Sequence, residues 1–265
     1  MRTFVLLLST TVLLRAESLN DLVRDSLRFL DPSQKSQQYE YTVRSTRKQF
    51  DSDGKLKSQE TTVAARTIED DTFVYRVRER NGKPLTPAEQ AQQEQKIAKR
   101  LAELRSLPPA ERERQKKQWN GRGMEFVREL PDAMVFRQAG ETTANGRRSV
   151  IVDAEPNPQY HARTAQARLF EKLKGRFTID VTDREMVKAE AETFDVVSIG
   201  LGILGRVEKG TRFAMQRRKL ADGNWVVAEQ DIRFGARVML VKWFSNEIHS
   251  EFSDFRHKSQ LTASR

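Results

Sequence analysis

The chain has 265 residues, no cysteine and a formal net charge of +10 at neutral pH. The missing cysteine excludes disulfides, zinc–thiolate sites, cysteine nucleophiles and a lipid-modified N-terminal cysteine together. The length suits one large domain or two small ones, and the basic balance would ordinarily suggest nucleic acid.

The N-terminus, MRTFVLLLSTTVLLRAES, redirects that suggestion. Arg2 is a short basic start, Thr3 to Leu14 is an apolar run, and Ala16 offers a small residue for cleavage, so residues 1–16 read as a secretory signal peptide. The run is far shorter than the roughly 20 apolar residues that cross a bilayer. Removing Arg2 and Arg15 lowers the charge from +10 to +8. Export without disulfides fits a bacterial periplasm better than an animal secretory route. The basic surface is then expected to meet acidic lipid headgroups or polyanionic envelope polymers, with transient contact to the membrane surface or envelope proteins, or simply to be solvated, with no nucleic-acid partner.

Glu17 to Leu30 places Leu19, Leu22, Val23, Leu27 and Leu30 at helical spacing, an amphipathic helix ended by Asp31-Pro32. From Tyr39 the period becomes two. Tyr39, Tyr41 and Val43 alternate with Glu40, Thr42 and Arg44, and Asp51 to Gly54 turns the chain into Thr61 to Ile68. Phe73, Tyr75 and Val77 complete three antiparallel strands before Asn81-Gly82.

Pro87 to Trp119 is rich in Ala, Glu, Gln, Lys and Arg and poor in β-branched residues, which predicts a polar helical insertion split at Pro108-Pro109. Its basic residues Lys96, Lys99, Arg100, Arg112, Arg114, Lys116 and Lys117 are interleaved with glutamates, as on a solvated helix. Strands resume at Ala133 to Gln138 and Ser149 to Asp153 across Asn145-Gly146. A short helix is expected over Ala162 to Leu173. Strands follow through Phe177 and Ile179, Val187 to Thr193, Thr211 to Gln216 and Trp225 to Ala236, with Val226, Ala228, Ile232 and Phe234 on one face. The closing ARVMLVKWFSNEIHSEFSDF is apolar on both faces near Val238 to Phe244.

Gly200-Leu-Gly-Ile-Leu-Gly205 has the G-x-G-x-x-G spacing of a dinucleotide fingerprint. That site needs a helix after the glycines, whereas Gly210 and strand-like alternation follow here. The stretch reads instead as a loop of Leu201, Ile203 and Leu204 mounted on Gly200, Gly202 and Gly205, a gate over an apolar cavity or a loop tucked onto its own core. No catalytic motif stands out. The sequence holds three histidines, and His249 and His257 are eight residues apart, roughly 26 Å along an extended strand, so no metal set is read from them. No cofactor and no enzymatic activity are expected.

The run EPNPQYHARTAQARLFEKLKGRFTIDVTDREMVKAEAETFDVVSIG, with TRFAMQRRKLADGNWVV and the closing SDFRH, resembles the LolA and LolB-like outer-membrane lipoprotein-sorting proteins, especially their longer acidobacterial-type members. The resemblance implies an α+β fold: an incomplete, strongly curved antiparallel barrel in a single domain over 17–265, with helices on its concave side and an apolar cavity for acyl chains. It implies a periplasmic carrier for a lipid or acylated protein, or else an envelope sensor or scaffold acting through protein contacts. Candidate lining residues are Tyr41, Val43, Phe73, Tyr75, Phe177, Ile179, Phe213, Met215, Trp225 and Trp243. Plain core packing is the competing role for each.

Overall fold

The computed structural model describes residues 19–30, 38–120, 125–199, 205–238 and 242–258. The two-residue alternation becomes β1 (Tyr39–Phe50), β2 (Leu56–Glu69), β3 (Thr72–Arg80), β4 (Lys83–Pro84), β5 (Met134–Ala144), β6 (Arg147–Pro156) and β7 (Leu173–Asp180). It continues as β8 (Glu185–Thr193), β9 (Val197–Ile199), β10 (Gly205–Val207), β11 (Arg212–Lys219), β12 (Trp225–Val238) and β13 (Lys242–His257). All 13 belong to one sheet, ordered β4-β3-β2-β1-β13-β12-β11-β8-β7-β6-β5, with β10 pairing both β12 and β9. Every pairing is antiparallel. β4 and β5 end this order, so the sheet is open, and with its helices the fold is α+β. At the β5–β6 hairpin, Asn145 and Gly146 take φ of 52° and 73°, the positive values that a tight two-residue turn requires and that these two residues tolerate best.

Residues directly opposed across antiparallel strands share a face. One row therefore runs Val152, Phe177, Ala189, Met215, Gln230, Ser250, Ser45, Thr62 from β6 across to β2. Over one end of this face lie α1 (Leu19–Ser26), the 3₁₀ turns Arg28–Leu30 and Glu125–Glu129, α4 (Leu130–Ala133) and the 3₁₀ segment Ala167–Lys172. They bury Val23, Phe29, Leu130 and Phe170 against Phe136, Val150, Val152, Phe177, Ile179, Met186 and Met215. Each such side chain contributes about 1.5–3 kcal/mol by leaving water.

Two sequence expectations are corrected. Of the helix expected over Ala162 to Leu173, only Ala167–Lys172 coils, as a 3₁₀ segment. Upstream, the Glu129 carboxylate accepts from Tyr160 Oη at 2.5 Å, Arg163 N at 3.2 Å and Thr164 Oγ1 at 3.3 Å, which holds the chain in a loop. Downstream, Leu173 already pairs with Thr193. In β12, Gln216 opposes Glu229 but Arg217 opposes Val227, so Ala228 is passed over in a bulge. Val227 thus packs on the core, and Val226 does not share the face of Ile232 and Phe234.

The polar insertion folds as α2 (Pro87–Ser106) and α3 (Pro109–Asn120). Thr86 and Glu89 form a reciprocal capping box at the start of α2, with proline in its first turn. Leu101 and Leu104 are its buried residues. The pair closes the edge of β3 that β4 leaves open: Gln93 Oε1 accepts from Val77 N at 2.9 Å, Gln93 Nε2 donates to Val77 O at 3.2 Å, and Trp119 Nε1 donates to Phe73 O at 3.1 Å. Arg76, on the face of β3 away from Tyr75, donates to Glu94 of α2 at 2.8 Å.

Candidate functional site

The face that carries the core does not stop where its helices stop. α1 packs on β5, β7 and β8, whereas the same face continues across β12, β13, β1, β2 and β3. Tyr41 lies opposite Arg66, and Arg66 opposite Tyr75. Val43 lies between Phe252 and Ala64, Ala64 faces Val77, and Phe73 faces Ile68.

These side chains form one aromatic cluster. The Tyr41 ring meets Phe252 edge-on at 5.4 Å and Phe255 at 5.7 Å, separations at which such pairs attract beyond their buried area. Arg66 is 3% exposed. Its guanidinium carbon sits 3.5 Å from the Phe73 centroid and 4.9 Å from that of Tyr41, and its Nη1 donates to Tyr39 O at 3.1 Å. The Tyr41 and Tyr75 hydroxyls are 3.1 Å apart. Burial, and then the neighbouring Tyr75 hydroxyl, push the Tyr41 phenol above its ordinary value. Tyr75, at 50% exposed, forms the open rim, and Phe234 is a further exposed aromatic on this face. At the start of β1, buried Tyr39 donates to Asp222 and accepts from Asn224 Nδ2 at 2.8 Å. Burial and the Asp222 carboxylate push its phenol up to about 12.

By register, nine of the candidate lining residues share this face, but in two groups. Tyr41, Val43, Phe73 and Tyr75 stand in the aromatic cluster. Phe177, Ile179 and Met215 are sealed in the helix-covered core, with Phe213 half-buried against it. Trp225, also buried, donates its indole N–H to Asp183 at 2.9 Å. Trp243 lies in β13 opposite Arg237, on the other face, and its side chain falls outside the described residues. Of the gate loop, Gly200, Leu201, Gly202, Ile203 and Leu204 lie outside the described residues, while Gly205 opens β10 opposite Ile199 of β9. A strand, not a helix, thus follows the glycines.

Sequence reasoning missed Arg66, Phe252 and Phe255. Phe252 was within reach, because Ile248, Ser250 and Phe252 alternate in EIHSEF. Arg66 was not, because a cation at a face position ordinarily marks the solvated side.

Two charges sit inside the closed half. Arg217, 1% exposed, donates from Nη1 to Glu185 at 2.6 Å and from Nη2 to Trp225 O at 3.0 Å, with its guanidinium carbon 4.3 Å from the Phe29 centroid. Burial lowers its pKa against the pull of Glu185. Asp180 accepts from Arg147 Nε at 2.6 Å and from Asp183 N at 2.7 Å. Burial alone would raise Asp180; the Arg147 bond and the backbone N–H outweigh it and hold the carboxyl below its ordinary value.

Four of the insertion's basic residues are engaged. Arg100 stacks on Trp119 with 3.1 Å to the centroid, Arg112 caps the carbonyls of Arg105 and Leu107, and Arg114 and Lys116 pair with Glu111 and Glu113. Two surface hollows of about 530 and 480 Å³ carry charged side chains: Asp53, Glu208, Arg233 and Glu247 line the first, and Asp153, Arg176, Glu190 and Arg212 stand beside Ala154, Ala191 and Phe213 in the second. Among the candidate lining residues Phe213 alone borders one of them.

No protein-family model and no curated protein matches the chain. Solved structures do. A domain described as an outer-membrane lipoprotein-sorting protein from Vibrio parahaemolyticus aligns over 91% of this chain and 92% of its own, at 9% identity and a TM-score of 0.36. A DUF1329 family protein from Desulfovibrio piger aligns over 90% and 91%, at 11% identity and a TM-score of 0.32. A LolA superfamily protein from Nitrosomonas europaea aligns over 91% and 94%, at 9% identity and a TM-score of 0.30.

Proposed function

We propose that this chain is a binding protein or carrier for a lipid or lipoprotein acyl chain, acting in the periplasm after loss of residues 1–16. The observation that carries the reading is the aromatic end of the core face, where Tyr41, Val43, Phe73, Tyr75 and Phe252 lie beyond the helices that seal the other end. An acyl chain laid there would remove apolar surface from water at about 25 cal/mol per Å², or about 0.8 kcal/mol per methylene. No covalent step is involved, so release passes the chain to a partner that buries it better. In this reading the open sheet curves into an incomplete barrel around the ligand, and the Gly200 to Gly205 loop gates it. Among the described residues no helix is long and apolar enough to cross a membrane.

The test is uptake of a fluorescent fatty acyl probe by the purified chain. Tyr75→Asp should abolish uptake while the far-ultraviolet dichroism stays unchanged. Val135→Asp, at an exposed apolar position on the distant edge strand β5, should leave it intact. Uptake that survives Tyr75→Asp contradicts the reading.

A second reading, an envelope sensor or scaffold that binds protein, is favoured by the charged lining of both hollows. Absence of any acyl-probe uptake, with a partner captured on the charged face, would select it.

A further inference from the structure

On the face opposite the aromatic cluster, β12 and β13 bring four titratable groups together. Asp231 lies directly opposite His249, and Glu229 directly opposite Glu251. Gln230 and Ser250, between them, belong to the core face, so the four side chains project from the other side. His249 Nδ1 is 2.8 Å from Asp231 Oδ1 and 3.8 Å from Glu229 Oε1, while its Nε2 is 3.7 Å from Glu251 Oε1. One ligand atom from each of Glu229, Asp231 and His249 lies within 4.8 Å of the others.

The charge arrangement is unfavourable as it stands. Carboxylates directly opposed on neighbouring strands repel. Among the described residues, His249 is the cation paired with each of Glu229, Asp231 and Glu251. The group therefore carries −2 with the imidazole protonated and −3 with it neutral, on a chain whose overall charge is +10. A divalent ion in place of the Nδ1 proton would neutralise most of that charge. The flanking positions on this face are Ala214 and Gln216 on β11 and Arg44 and Thr46 on β1, and short Ala214 and Thr46 stand beside the Asp231–His249 pair.

We infer that Glu229, Asp231 and His249 form a surface site for a divalent transition-metal ion, with Glu251 orienting the imidazole. One imidazole and two carboxylates suit zinc and its neighbours better than calcium, which prefers oxygen alone. Ligand atoms at about 2.1 Å from zinc stand roughly 3.5 Å apart, so small side-chain rotations close the set. Glu251 facing the other ring nitrogen matches the usual arrangement, in which a metal-bound histidine gives its remaining N–H to a carboxylate. Three protein ligands on an exposed surface leave further coordination positions to water or to a second ligand. The site is independent of the acyl-binding reading, since it uses other residues on the other face.

The experiment is calorimetric titration of the purified chain with Zn²⁺, repeated with Co²⁺ to read the visible spectrum of the bound ion. One Zn²⁺ per chain is expected. His249→Ala should abolish that binding, Asp231→Asn should weaken it at least tenfold, and Glu251→Gln should weaken it about tenfold without changing the stoichiometry. Thermal unfolding of each variant without metal reports whether it folds. No uptake by the wild-type chain, or equal uptake by folded His249→Ala, overturns the inference.

Discussion

Side-chain alternation in this chain states which residues share a face, and the residue scale is where that statement meets its limit. Phe177 and Tyr75 stand on the same face of one sheet, yet Phe177 is sealed in the core and Tyr75 is half exposed. The difference lies in what covers them, which depends on where α1 and the Glu129 loop settle. Ile179→Ala should therefore cost about 2–5 kcal/mol in urea unfolding, while Val43→Ala, at a half-buried position, should cost no more than about 1 kcal/mol. The Asp180–Arg147 pair gives a pH prediction. The folded Asp180 value is lowered, so its contribution is complete above the unfolded carboxyl value of about 3.9 and is lost as the pH falls through the folded value. Asp180→Asn should lower the urea midpoint at neutral pH and flatten its decline between about pH 5 and pH 2; an unchanged acid limb would remove this pair from the account. Residues such as Arg217 were illegible in the sequence, because a buried arginine is recognised only by the carbonyls and carboxylate that its fold brings to it.

Elements were more legible where their ends carry their own chemistry. The α2 start is written in Thr86-Pro87 and Glu89, and the β5–β6 turn in Asn145-Gly146, since these groups satisfy backbone requirements locally. Thr86→Ala should cost about 1 kcal/mol, measured by thermal unfolding. The Ala162 to Leu173 segment misled because its sequence is helix-compatible while its neighbours tie it down on both sides. The β12 bulge misled because period two assumes a regular ladder. The metal set was hidden for a related reason: Asp231 and His249 are 18 residues apart and meet only through strand pairing. The insertion's attachment to the β3 edge gives an element-level prediction. Gln93→Ala should leave the Val77 amide exposed on an unpaired edge, and amide hydrogen exchange at Val77 should quicken while β6 and β7 remain protected. Equal exchange in both proteins would show that Gln93 does not close the edge.

At the scale of the whole molecule, one open sheet carries two unlike halves on one face: a closed core over β5 to β8 and β11, and an aromatic stretch over β13, β1, β2 and β3. The α+β class and the antiparallel layout were legible because the alternation persists through nearly every strand. The place of β13 between β1 and β12 was not, because no local signal pairs the last strand with the first. That placement brings Phe252 and Phe255 to Tyr41 and so assembles the patch on which the functional reading depends.

We propose that the aromatic half of this face holds an acyl chain. Native mass spectrometry of the chain, purified from a periplasmic extract without detergent and followed by lipid extraction, tests it most directly. The wild type should carry an added mass recovered as a lipid or acylated peptide, and folded Tyr75→Asp should lose it. A clean apo mass that also takes up no added acyl chain would contradict the proposal.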